Sequence, residues 1–246
     1  VDPRAAAVEH GGQPEAFSWY LAAEGMEEDG WRDHSPSEVG QLFGKFAWTT
    51  ETIDLALTLA HADTDLIGNG LVPESLHERD RDAIFTYPDQ TENRHHLIAL
   101  SGSHWLSDRD RLSGTLYLRR TSTGTLNGDG NDEYEVEYEE WEDGGFPAGE
   151  GPGTGVLNRT HTNQRAYGLA LQWTRLMGAH QFAFGLFHDN TRASFRQSEQ
   201  GGELTDERGV LATEEEELSN SLLGRTRTSS LYATDTWSLT DRLQLT

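Results

Sequence analysis

Carboxylates crowd one stretch of this chain, from Asp129 to Asp143, and side chains of that kind can hold calcium or another hard cation. The spacing argues against it. Counted from Asn127, Asp129 and Asn131 suit an EF-hand loop, but Asp132 stands where glycine is required and Tyr138 where the bidentate glutamate belongs. The stretch reads as a solvated loop, and no metal site is assigned. The ten histidines are scattered, and His95 and His96, adjacent on a strand, must point to opposite faces. His-Glu-x-x-His, Gly-x-Ser-x-Gly and Gly-x-x-x-x-Gly-Lys-Ser/Thr do not occur, so enzymatic activity has no positive support and no cofactor is expected. Gly149 to Gly155 is glycine-rich but has no buried strand before it and no helix after it, so it reads as a flexible linker. Asn158-Arg159-Thr160 is a glycosylation sequon, meaningful only in a eukaryotic secretory host. Trp31, Arg32, Tyr87 and Trp141 stand in the long polar connectors, where Trp31 and Tyr87 suit bracing of the loops.

The elements that position these residues follow from hydrophobic alternation. Ile53, Leu55, Leu57 and Leu59 fall on one face with Asp54, Ala56, Thr58 and Ala60 on the other. Tyr167, Leu169, Leu171 and Trp173 repeat the pattern, as do Phe182, Phe184 and Leu186, and these two runs flank Met177–His180 as a hairpin. Less regular strands are read at roughly 15–26, 38–48, 92–106, 111–123 and 224–238, with a ninth opening near Leu243. In His96-Leu97-Ile98-Ala99-Leu100 both parities are apolar, and the pattern does not select a face. Polar stretches near 27–37, 64–91, 124–159 and 196–223 separate the strands, and the run from Pro73 to Arg81 suits a short loop helix.

Four short connectors, Thr49–Thr52, Ser107–Asp110, Met177–His180 and Leu239–Arg242, alternate with those long stretches. Trp48, Trp105, Trp173 and Trp237 lie just before them, placed to form a belt where an indole keeps its ring in lipid and its N–H near water. Three of the loops exceed about 20 residues, which counts against a compact soluble domain but suits a membrane barrel with long outer loops and tight periplasmic turns. The expected fold is all-β: an antiparallel up-and-down meander forming part of a transmembrane β-barrel wall, a curved open sheet with unlike ends.

Composition sets the outer limits. With 19 basic against 42 acidic residues the formal charge is -23, which repels a phosphate backbone and removes nucleic acid as a partner. The acids gather in the connectors, as at Glu214–Glu217. No run approaches the roughly 18 apolar residues of a spanning helix, so residence in a membrane requires a barrel. Cysteine is absent, which removes disulfides and thiolate chemistry together.

Asp29–Ser37, followed by Gln41-Leu42-Phe43-Gly44-Lys45, resembles the early barrel of TonB-dependent outer-membrane receptors. Gly68–Ser75, Phe85–Asn93 and Leu231–Thr240 are similar to segments of that family, in the same order. The resemblance implies a 22-stranded barrel in the bacterial outer membrane, plugged by an N-terminal domain and taking up scarce ligands such as ferric siderophores or cobalamin with energy delivered through TonB. On that reading residues 1–246 are a partial barrel domain, about eight strands and the start of a ninth, cut from a longer protein without the plug or the C-terminal half of the barrel. Its partners are then outer-membrane lipid and an extracellular small ligand, with TonB reached only through the missing plug, and an uptake receptor's need to catch its ligand at the outer mouth makes the loop residues Trp31, Arg32, Tyr87 and Trp141 the ligand-contact candidates. The rival readings are a soluble acidic β-sandwich or carbohydrate-binding module, and a small closed eight-stranded barrel.

Overall fold

The computed structural model describes residues 3–68, 70–130, 140, 153–240 and 242–246. The strands are β1 (Arg4–Gly12), β2 (Phe17–Glu28), β3 (Ser37–Thr49), β4 (Ile53–Ile67), β5 (Asp89–Ser107), β6 (Asp110–Gly130), β7 (Thr154–Met177), β8 (His180–Leu204), the short β9 (Val210–Ala212), β10 (Glu217–Thr240) and β11 (Leu243–Leu245), with one helical turn and a half, α1 (Glu74–Arg79), between β4 and β5. Each long strand pairs antiparallel with its sequence neighbour in one open sheet, and β9 pairs with β8 beside the main path. A sandwich needs a second sheet packed on the first, and among the described residues there is one sheet only.

All four short connectors close antiparallel pairs, as alternation and turn length predict. Two features differ from the sequence reading. β1 is a full strand that alternation does not reveal, because Ala5, Ala6, Ala7, Gly11 and Gly12 give it little hydrophobic contrast. Its register comes from pairing along all nine residues with β2. The other strands run well beyond the alternating segments: β7 has 24 residues and β8 has 25, reaching into stretches that read as loop. There the ladder continues with both faces polar, tied by Thr125 Oγ1 and Thr160 Oγ1 at 2.6 Å and by Thr123 Oγ1 donating to Asn93 Oδ1 at 2.9 Å. Pairing survives where the sequence signal disappears.

Residues directly opposite one another in a sheet share a face, so register fixes what alternation leaves open. One line of partners runs Trp48, Leu55, Gly102, Gly114, Leu171, Leu186, Leu231. The same face carries Phe46 and Leu42, Leu57 and Leu59, Ile98 and Leu100, Leu116 and Leu118, Leu169, and Phe184. Leu97 is placed on the other face, between Ala60 and Arg119. The apolar face is exposed: Leu118 keeps 54% of its surface and Leu231 84%. Only Ile84, Leu157, Ala166 and Ala183 are buried among described hydrophobic residues. Among the described residues this sheet has no core of its own and leaves its apolar face exposed.

The opposite face is built from small and polar residues over which a few rings fold. Tyr117 lies across Gly168, and Tyr232 across Gly185, each directly opposite its glycine, and a Cβ at either glycine would overlap the ring. The tyrosine hydroxyls donate to Asp189 and to Gln172 respectively. Covering a strand glycine with a cross-strand ring restores the packing that the glycine lacks.

Candidate ligand-facing loops and inner wall

Short turns at one end and long loops at the other place the candidate residues at two levels. At the loop end, Asp29–Pro36 folds tightly: Gly30 takes φ +71°, a left-handed conformation that glycine adopts freely, and a Cβ there would collide with Ser35. Ser35 Oγ donates to the Arg32 carbonyl at 2.6 Å, and the Asp33 amide donates to the Asp82 carbonyl at 2.8 Å, joining this loop to the one between β4 and β5. Trp31 remains half exposed at 51%, with the Arg32 guanidinium 4.7 Å from the centre of its ring. Arg32 Nε is buried without a partner among the described residues.

Tyr87 is held on every side. Its ring stacks on His34 at 4.1 Å and 17°, its amide donates to the Arg208 carbonyl at 3.1 Å, and its carbonyl accepts from the Val210 amide at 3.1 Å. Arg208 Nε donates to the Phe85 carbonyl at 2.7 Å while its guanidinium covers the Phe85 ring at 4.4 Å. Three loops are thereby docked into one rim, with Tyr87 as a brace and the Trp31–Arg32 pair as the part facing out. His34, Phe85 and Arg208 escaped the sequence reading, because their contacts span up to 123 residues and carry no local pattern. Trp141 lies outside the described residues, as does almost all of the acidic stretch; of it, Asp129 Oδ1 accepts from the neighbouring Gly130 amide at 2.9 Å. The glycine-rich run is described only from Gly153 on, where Thr154 opens β7.

At the turn end, the polar face encloses a hollow of about 650 Å³ bordered by Lys45, Asp54, Ser103, Arg111, Gln172 and Tyr232. Arg111 Nη2 donates to Ser103 Oγ at 2.8 Å, and that hydroxyl faces Asp54 Oδ2 at 3.4 Å. The hollow is open, and its rim carries both donors and acceptors. No cluster of three or more metal-binding side chains occurs among the described residues.

The four tryptophans divide. Trp48, Trp173 and Trp237 lie on the apolar face near the turns; Trp173 stacks on Phe184 at 5.6 Å and Trp237 on His180 at 5.5 Å. Trp105 lies on the polar face, beneath the Arg111 guanidinium at 5.6 Å. Trp105 has the opposite parity to Ile98 and Leu100 of the same strand, which sends its side chain to the other face; the register slips only beyond it, before Ser107. Phe17 and Trp19, on the apolar face at the same end, join the three.

No protein-family model matches this sequence, and no curated protein matches it. Solved structures do. The ferric citrate transporter FecA in its unliganded form superposes with a TM-score of 0.63 at 12% identity, covering 97% of this chain and 40% of that one. The ferric-catecholate import receptor Fiu from E. coli K12, in its open form, gives 0.64 at 14%, covering 98% and 41%. The RagAB peptide transporter gives 0.60 at 9%, covering 96% and 30%. The chain thus spans about two fifths of the length of the first of these. The fold is that of a section of their barrel wall, which is the architecture that the resemblance to TonB-dependent receptors implies.

Proposed function

We propose that this chain is part of the barrel of a TonB-dependent receptor in the bacterial outer membrane, where its wall meets lipid and its loops help select a scarce extracellular ligand such as a ferric siderophore or cobalamin. The observation that carries the reading is the register, which gathers most of the large apolar side chains of β2 to β10 on one exposed face and leaves the other mainly small and polar, with a few rings and leucines. A water-facing sheet has no reason to expose such a band, whereas a barrel wall requires one. The receptors and transporters that share the fold support a role in uptake rather than in catalysis.

The rim made by Trp31, Arg32, Phe85, Tyr87 and Arg208 is the part of this chain that meets cargo first. An aromatic ring under a guanidinium attracts anionic or aromatic ligands, a description that ferric complexes of citrate or catechol type satisfy. Fractionation of cells producing the protein tests the location: it should sediment with the outer membrane and resist carbonate extraction, and recovery in the soluble fraction would refute the reading. Uptake of radioiron presented as siderophore complexes, with and without the gene, tests the cargo. Unchanged iron uptake together with lost peptide uptake would move the ligand class to that of the peptide transporter.

A further inference from the structure

Register places four arginines in one line. Arg120 stands directly opposite Arg165, Arg165 opposite Arg192, and Arg192 opposite Arg225, on the four successive strands β6, β7, β8 and β10. Arg120 is in turn opposite His96, which stacks on His61 at 4.6 Å. All four arginines are exposed, and all lie on the apolar face, on the loop side of the band: Arg120 follows Leu118, and Arg165 follows Tyr167, at the next position on that face. Arg227 sits one position nearer the band than Arg225.

Like charges directly opposite in a sheet repel, and a protein with 42 acidic residues has ample means to neutralise them. It does not. On this face β6 carries no Asp or Glu from Leu112 to Gly128, β7 none from Trp173 to Leu157, and β8 none from Phe182 to Gly202. Asp189, Glu199 and Glu203 of β8 all take the other face. Among the described residues none of the four arginines has an ion-pair partner, and Arg225 Nε donates only to the amide oxygen of Asn190, at 3.2 Å.

We propose that this row binds the phosphate groups of outer-leaflet lipid headgroups. The inference rests on the reading that the apolar band lies in a membrane. Neighbouring side chains across a sheet are about 5 Å apart, so the row spans about 15 Å at the rim of the band, beginning at its edge and rising from it as the strands tilt. Guanidinium groups grip phosphate oxygens through paired N–H donors. A line of them suits a headgroup bearing more than one phosphate, which also supplies the missing counter-charge.

The test uses the complete membrane-inserted protein in phosphatidylcholine nanodiscs doped with a bisphosphorylated disaccharide lipid, or with the same lipid after phosphatase treatment, and reads co-purifying lipid by mass spectrometry. The phosphorylated lipid should be enriched over its dephosphorylated form. Arg165→Gln with Arg192→Gln should cut that enrichment about tenfold or more, and either single change should cut it severalfold, while Arg109→Gln, the same loss of charge as either single change but in a turn at the other end, leaves it unchanged. In neutral detergent without phosphorylated lipid the double variant should melt higher than the parent, because repulsion within the row is relieved. Equal enrichment of the two lipids, the same loss in Arg109→Gln, displacement by inorganic phosphate alone, or a lower melting temperature of the double variant would each overturn the proposal. A protein that does not enter nanodiscs at all would overturn the membrane reading and this one with it; one that enters without enrichment overturns only this.

Discussion

The half of the sheet beside the short turns and the half beside the long loops share one continuous register but are held by different forces. Near the turns one face is apolar and the other small and polar, so strands are fixed by what each face must meet. Toward the loops both faces are polar, and cross-strand hydroxyls, amides and a few docked loop segments take over. In the first region a residue's face decides its worth; in the second its partner does.

That contrast predicts unequal responses to the same change. Leu116→Arg, in the exposed apolar band, should destabilise the membrane-inserted protein by about 2–4 kcal/mol, whereas Ser122→Arg, further along the same face of β6, should cost less than about 1 kcal/mol even with Arg94 directly opposite. Denaturant titration in lipid vesicles compares the two, and similar losses would erase the distinction. Gly185→Val forces a side chain into the Tyr232 ring and should cost about 1–3 kcal/mol by the same titration, a cost that Tyr232→Ala in the same chain should relieve. Tyr87→Ala removes the stack on His34, worth about 0.5–1.5 kcal/mol, and should speed protease cleavage between β8 and β10 without moving the global transition. Asp63→Asn breaks the 2.8 Å pair with Arg94, whose side chains are 46% and 61% exposed; water screens that pair, so the loss should be the smallest of these and vanish in high salt.

The same division explains what the sequence discloses. Alternation around Ile53–Leu59 and Tyr167–Trp173 reveals those strands and their turns, because a one-sided environment writes a period of two into the chain. Thr121 to Gly130 and Thr154 to Gln164 pair just as regularly, yet with both faces polar nothing is written there. β1 is silent for a related reason, since alanine and glycine suit either face. Leu97, Ile98 and Leu100 could be sorted only by their partners on β4 and β6. Trp31, Arg32 and Tyr87 were visible as residue types suited to a loop rim. The grip of Arg208 on Phe85 and the arginine line were not, because both depend on which distant residues the register sets side by side.

Every strand pairs with its neighbour in sequence, and the connectors alternate between a few residues and many. β1 with β2, β3 with β4, β5 with β6, and β7 with β8 are each joined by a short turn. Closing a short loop is fast and costs little entropy, whereas the longer connectors cost more with each doubling of length, by about 0.6 kcal/mol. Assembly should therefore advance in two-strand steps, each hairpin zipping from its turn and then docking on the edge of the one before. The same economy applies to descent: a gene that gains or loses one such hairpin changes the circumference of the wall by two strands and leaves every other register untouched.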